Sequence, residues 1–131
     1  MGDENSVNEE EVKVLVIDDD ETLTRTIQAI LKSYGYTVLV ARSGEEGLEV
    51  AQKEIPDLII LDVILPKMKG REVCKKIKES PDTKDIPVIF LTAKDSSDDI
   101  EAEMAAGAVT HLTKPVYANS LLSTLRRVLN S

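Results

Sequence analysis

Val12-Lys13-Val14-Leu15-Val16-Ile17-Asp18-Asp19-Asp20 is the stretch that decides the fold. Its apolar half is short, rich in β-branched residues and apolar at successive positions. That pattern suits a strand buried on both faces, as in a parallel sheet, rather than a strand with one wet face. It then breaks into three carboxylates, of which Asp20 is placed to cap a following helix. From Glu21 to Tyr34 the period changes to that of a helix: Leu23, Ile27, Ile30, Leu31 and Tyr34 share one face, and Gly35 supplies a stop.

The same strand-then-helix unit repeats outward from there. Thr37 to Ala41 reads as a second strand, and Ser43 with Glu46 forms a capping-box pattern opening a helix to about Glu54, where Pro56 blocks continuation. Leu58 to Leu61 is a third strand. A loop carrying Pro66 and Gly70 leads to a helix with Val73 and Ile77, and Val88 to Leu91 is a fourth strand. Ile100 and Met104 mark a short fourth helix ended by Gly107. Ala108 to Leu112 is a weaker fifth strand, and Leu121, Leu122, Leu125, Val128 and Leu129 stripe a last helix. Five strands alternating with five helices predict a doubly wound α/β fold, with a parallel sheet joined by right-handed crossovers and helices on both faces.

Composition narrows the function. A chain of 131 residues, 42% hydrophobic, is the size of one domain. Its 24 acidic and 16 basic residues leave a net charge of −8, which repels nucleic-acid phosphates and anionic membrane surfaces and argues against direct contact with either. The single cysteine, Cys74, can form neither an internal disulfide nor a multi-thiolate metal site. With no apolar run near the roughly 18 to 20 residues that span a bilayer, a cytoplasmic location is expected.

Chemistry is expected at the carboxyl ends of the strands, where open α/β sheets hold ligands. Asp18, Asp19 and Asp20 follow the first strand, Asp62 the third, Thr92 the fourth, and Lys114-Pro115 the fifth. Parallel strands lie about 5 Å apart, so these side chains can converge. Carboxylates in one pocket repel one another and call for a cation; an all-oxygen set suits Mg²⁺. Lys114 and Thr92 then offer a charge and a hydroxyl donor to the oxygens of a phosphoryl group. His111, the lone histidine, has no histidine or thiolate partner for metal binding and suits packing or a switch. Cys74 reads as a core residue.

Taken in order, the acidic run, Asp62, Leu65-Pro66 through Gly70, Thr92-Ala93 and Lys114-Pro115 resemble the signature of response-regulator receiver domains of two-component signalling, chemotaxis regulators among them. The resemblance spans Val12 to Asn130. It implies a flavodoxin-like (βα)₅ fold of strand order 2-1-3-4-5 with a receiver domain over 12–131; residues 1–11, polar and acidic with almost nothing to bury, read as a disordered tail. It also implies that Asp62 is the phosphoacceptor, Asp19 a direct Mg²⁺ ligand with Asp18 assisting, and the Ile64 carbonyl a further ligand. Thr92 and Lys114 contact the phosphoryl group in that pattern, and the bond before Pro115 is cis. The implied donor is a histidine kinase or histidine phosphotransfer protein. The output is an effector reading the face of the fourth helix, fifth strand and fifth helix, switched through Thr92 and residue 111. Such a protein modifies only itself and turns over no external substrate.

This chain departs from the family pattern in carrying His111 where an aromatic switch residue is usual, and Val109 and Thr110 where acidic residues are frequent. Near the acceptor, Ile64 offers no hydrogen bond to a hydrolytic water and Lys94 cannot accept its proton, which predicts a long-lived phosphorylated form. Two rival readings stand beside this one. In a haloacid-dehalogenase-type phosphatase Asp18 would be nucleophile and Asp20 acid/base, but Asp62 would go unexplained. In a pseudo-receiver binding module phosphorylation would be lost, against which the intact acidic set, Thr92 and Lys114 argue.

Overall fold

The computed structural model describes residues 11–93 and 97–130, apart from the side chains of 97–99. The expected tail, save Glu11, and Lys94 lie outside the described residues. Five strands, β1 (Lys13–Ile17), β2 (Thr37–Ala41), β3 (Leu58–Asp62), β4 (Val88–Thr92) and β5 (Thr110–Thr113), alternate with α1 (Glu21–Ser33), α2 (Gly44–Glu54), α3 (Gly70–Glu79), α4 (Ser97–Ala105) and α5 (Ala118–Leu129). All pairings are parallel, in the order β2-β1-β3-β4-β5. The expected doubly wound sheet is therefore present, and strand order reverses between β1 and β3, above which a ligand crevice forms.

Each central strand feeds two cores because alternate side chains point to opposite faces. Leu15, Ile17, Ile59, Leu61 and Phe90 pack with Val73, Cys74 and Ile77 of α3. Val14, Val16, Ile60, Ile89 and Leu91 pack with Ile27 and Leu31 of α1 and with Leu121 and Leu125 of α5. On the first face α2 lies very close to the sheet: a β-carbon on Gly47 would stand 2.5 Å from Ile17 Cδ1, so glycine there is a packing requirement. Cys74 is fully buried, and burial, only partly offset by the Lys78 charge, pushes its thiol up to about 11, which leaves it an inert core residue.

Local chemistry sets the helix ends. Asp20 Oδ1 accepts from Leu23 N at 3.1 Å, as expected of a cap. Ser43 Oγ accepts from Glu46 N at 3.1 Å, but the Glu46 carboxylate reaches back one residue further than a capping box requires, to Arg42 N at 2.8 Å. Tyr34 lies just past α1 as its C-cap, exposed, with the Arg126 guanidinium 5.6 Å from its ring centroid. At the end of the sheet away from the acidic crevice, Lys78 of α3 donates to the carbonyls of Lys84 and Ile86. Its stem runs beneath Gly107, where a β-carbon would stand 2.7 Å from Lys78 Cγ. Gly107 also has φ +111°, so the turn after α4 needs glycine for two independent reasons.

Several boundaries differ from expectation. Asp62 and Thr92 are the last residues of their strands rather than the first beyond them, because Val63 N still donates to Leu91 O and Lys114 N to Thr92 O. Gly70 begins α3 instead of belonging to the loop. The fifth strand starts at Thr110, since Ala108 N turns back to Glu103 O. In α4 it is Glu103 and, just beyond its end, Ala106 that are buried, whereas Met104, expected to mark the inner face, is half exposed.

Candidate functional site

The strand ends bring together what the sequence placed at them. Asp18 leaves β1 fully buried, fastened by Asp18 N to Ala41 O at 3.0 Å; its Oδ1 accepts from Asp20 N at 2.9 Å, closing a tight turn. The other oxygen, Oδ2, is buried with no hydrogen-bond donor and faces the Lys114 ammonium at 3.4 Å. Asp62 has one oxygen held by Ile64 N at 3.1 Å, and the other lies 3.3 Å from Lys114 Nζ. Lys114 thus bridges two carboxylates from two strands while itself issuing from a third. The Lys114-Pro115 peptide is cis, as the resemblance implied.

Asp19 is exposed, yet oxygens of Asp18, Asp19 and Asp62 all lie within 4.8 Å of one another. Asp20 borders the same cavity but has one oxygen engaged in capping α1 through Leu23 N, whereas the three-acid cluster is made without it, which tells against the phosphatase reading. Thr92 is buried at the end of β4 and lines the same cavity, of about 540 Å³. Ile64 also lines it and is 73% exposed, so an apolar side chain stands at the mouth beside Asp62. His111 lies elsewhere, half-buried on β5, lining a second cavity with Tyr117 and Ser120.

The electrostatics follow from this crowding. Burial is the main cause that pushes the Asp62 carboxyl up, to about 6. The Ile64 N–H pulls it down, the Asp18 charge adds to the rise, and Lys114 opposes it. Burial works against the charge on Lys114, but attraction to Asp62 and Asp18 outweighs it and holds the ammonium above its ordinary range. Three acids clustered within 4.8 Å, two of them sharing the single ammonium of Lys114, fit an added hard cation such as Mg²⁺, which takes oxygen ligands and tolerates open positions.

The sequence reading missed Arg71. It is the second residue of α3, half-buried, and lines the acidic cavity. Gly70 explains its placement. Gly70 N donates to Val63 O at 2.9 Å, and a β-carbon on Gly70 would stand 2.8 Å from Val63 Cα and collide with the Asp62 carbonyl, so the start of α3 lies against the end of β3.

A doubly wound α/β domain with three clustered acids, a bridging lysine and a threonine at its strand ends defines a phosphoryl-accepting signalling module. The family described as response regulator receiver domain matches residues 14–126, and the chain belongs to it. It is 38% identical over 118 residues to response regulator MprA of Mycobacterium ulcerans, covering 90% of this chain and 50% of that protein. The chain spans about half the length of the curated relatives it matches. Among solved structures it is similar to Vibrio cholerae chemotaxis protein CheY4 (TM-score 0.87, 36% identity, 90% of this chain and 98% of that one). It is also similar to the receiver domain of sensor histidine kinase PA1611 from Pseudomonas aeruginosa, which has a magnesium ion coordinated in its active-site cleft (TM-score 0.86, 28% identity, 92% and 99%). It is accordingly a receiver domain, a phosphorylation-switch module of two-component signalling. No helix among the described residues is long and apolar enough to cross a membrane.

Proposed function

We propose that Asp62 is the residue that takes the phosphoryl group, from a histidine kinase or histidine phosphotransfer protein, and that residues 12–131 form the receiver domain. The observation that carries this reading is the Lys114 ammonium set between Asp62 and Asp18 at 3.3 and 3.4 Å, with Asp19 beside them. In it Asp18, Asp19, Asp62 and the Ile64 carbonyl hold Mg²⁺. When bound, Mg²⁺ supplies positive charge that offsets the developing charge on the attacking and transferred oxygens.

The chain's own residues do the rest by positioning. Ile64 N orients one Asp62 oxygen, leaving the other to attack phosphorus in line; an O–P bond forms as the donor's P–N bond breaks, and the donor imidazole leaves with that electron pair. Lys114 then moves from pairing carboxylates to pairing the phosphoryl oxygens. Thr92, at the end of β4, donates its hydroxyl to the new dianion, and this biases a two-state equilibrium that reaches His111 along β5. The effector, a separate protein or a further domain, reads the face of α4, β5 and α5, where Met104, Val109 and Tyr117 are exposed. The net charge and lone thiol support a cytoplasmic setting without direct contact with nucleic acid or membrane.

Incubation with acetyl phosphate and Mg²⁺ followed by intact mass tests the assignment. Wild type gains the mass of one phosphoryl group and Asp62→Asn gains none; equal labelling of the two proteins refutes it.

A further inference from the structure

We propose that Arg71 binds the incoming phosphodonor, a role resting on the assignment of Asp62 as acceptor. Among the described residues, the cavity that holds Asp62 is lined by the acidic residues Asp18, Asp19, Asp20 and Asp62 and by the cationic residues Lys114 and Arg71. Lys114 already lies between Asp18 and Asp62. A phosphoryl dianion entering over this acidic wall meets Lys114 from the end of β5 and Arg71 from the start of α3, both lining the cavity.

Three features suit Arg71 to that task. Its backbone is anchored, because Gly70 is pressed against Asp62 and Val63 and bonded to Val63 O, so the start of α3 has a fixed relation to the nucleophile. It stands in the first turn of α3, where the helix end adds partial positive charge. A guanidinium presents a planar fork able to hold two phosphoryl oxygens at once, which an ammonium cannot do. Arg71 thus captures and orients the donor, and the Asp62 oxygen attacks phosphorus. With acetyl phosphate the P–O bond breaks and acetate leaves with the electron pair; with phosphoramidate the P–N bond breaks and ammonia leaves.

The test compares wild type, Arg71→Gln and Arg71→Lys, phosphorylated by acetyl phosphate and by phosphoramidate at saturating Mg²⁺ and read by intact mass over time. Arg71→Gln should lower the second-order rate constant about tenfold, the scale of one charge-assisted contact, and flatten its dependence on ionic strength. Its Mg²⁺ affinity should stay equal or rise, since a cation beside the acids has gone, and Arg71→Lys should recover part of the rate. Labelling of Arg71→Gln at the wild-type rate, or a loss of rate matched by weaker Mg²⁺ binding, overturns the role of Arg71 alone. A wild type that takes no phosphoryl group, or takes it equally as Asp62→Asn, overturns the underlying assignment as well.

Discussion

Gly70 packs its α-carbon against the carbonyl oxygen of Asp62 so tightly that no methyl group fits between them. The opposing atoms are backbone, of Asp62 and Val63, and cannot rotate aside. Gly70→Ala should cost about 1 to 3 kcal/mol of stability, the usual penalty of overpacking. It should also slow phosphorylation of Asp62, because relief requires moving the strand end that carries it. Urea denaturation and a labelling time course check both effects; a variant of unchanged stability would show that α3 can retreat freely.

Asp62→Asn should stabilise the metal-free protein at neutral pH. The folded-state pKa is raised to about 6 from 3.8, so between those values the native state holds more protons than the unfolded one. Stability from this group is then present below about pH 4 and is lost as pH rises through 6. The asparagine variant lacks that loss and should exceed wild type by on the order of 1 to 2 kcal/mol at pH 7, with the difference vanishing near pH 4. Denaturant midpoints in a chelator at the two pH values decide it. By the same proton linkage, Mg²⁺ affinity of the wild type should fall below pH 6, approaching tenfold per unit.

Asp19→Asn should weaken Mg²⁺ binding far more than Asp20→Asn. Asp19 offers an oxygen to the three-acid cluster, whereas Asp20 is engaged with Leu23 N. Asp20→Asn should therefore be nearly silent, asparagine being as good a cap. Calorimetric titration of both variants with Mg²⁺ is the measurement, and a larger loss at Asp20 would contradict the geometry.

Lys114→Ala should leave Mg²⁺ binding intact or tighter while impairing phosphorylation and the response to it. Removing the ammonium deprives Asp62 and Asp18 of their shared counter-charge, so the Asp62 carboxyl should titrate above 6 in the metal-free variant. Carbon-detected NMR titration of the Asp62 carboxyl reads this directly; a value at or below that of wild type would show that Lys114 does not hold it down.

Ile64→Asn should accelerate loss of phosphate by about tenfold, equivalent to about 1.4 kcal/mol of barrier, because an amide at the cavity mouth can hydrogen-bond a hydrolytic water where an exposed isoleucine cannot. A decay time course at fixed Mg²⁺ and pH compares the two proteins. Slower decay in the variant would mean that residue 64 does not govern water access.

Much of this was readable because apolar runs buried on both faces leave few alternatives to parallel strands, and ligand chemistry in such sheets gathers at their carboxyl ends. Asp18, Asp62, Thr92 and Lys114 could be located that way. Met104 and Glu103 were harder, since helical spacing alone does not say which face of a short, weakly amphipathic helix turns inward. Arg71 was missed for a related reason. In a helix beginning Gly70-Arg71-Glu72, an arginine reads as part of a solvated charged face. The signal that could have found it is its place directly after a glycine closing the loop from the acceptor strand, which brings the first turn of α3 over the crevice.

Lys78 ties together segments that the sheet itself does not join. By donating to the Lys84 and Ile86 carbonyls while its stem lies under Gly107, it links α3 to the loop before β4 and to the turn after α4. A single cation at the pole opposite the chemistry thus stitches the connection into β4, the strand that ends in Thr92, to the connection into β5, the strand that leads to Lys114.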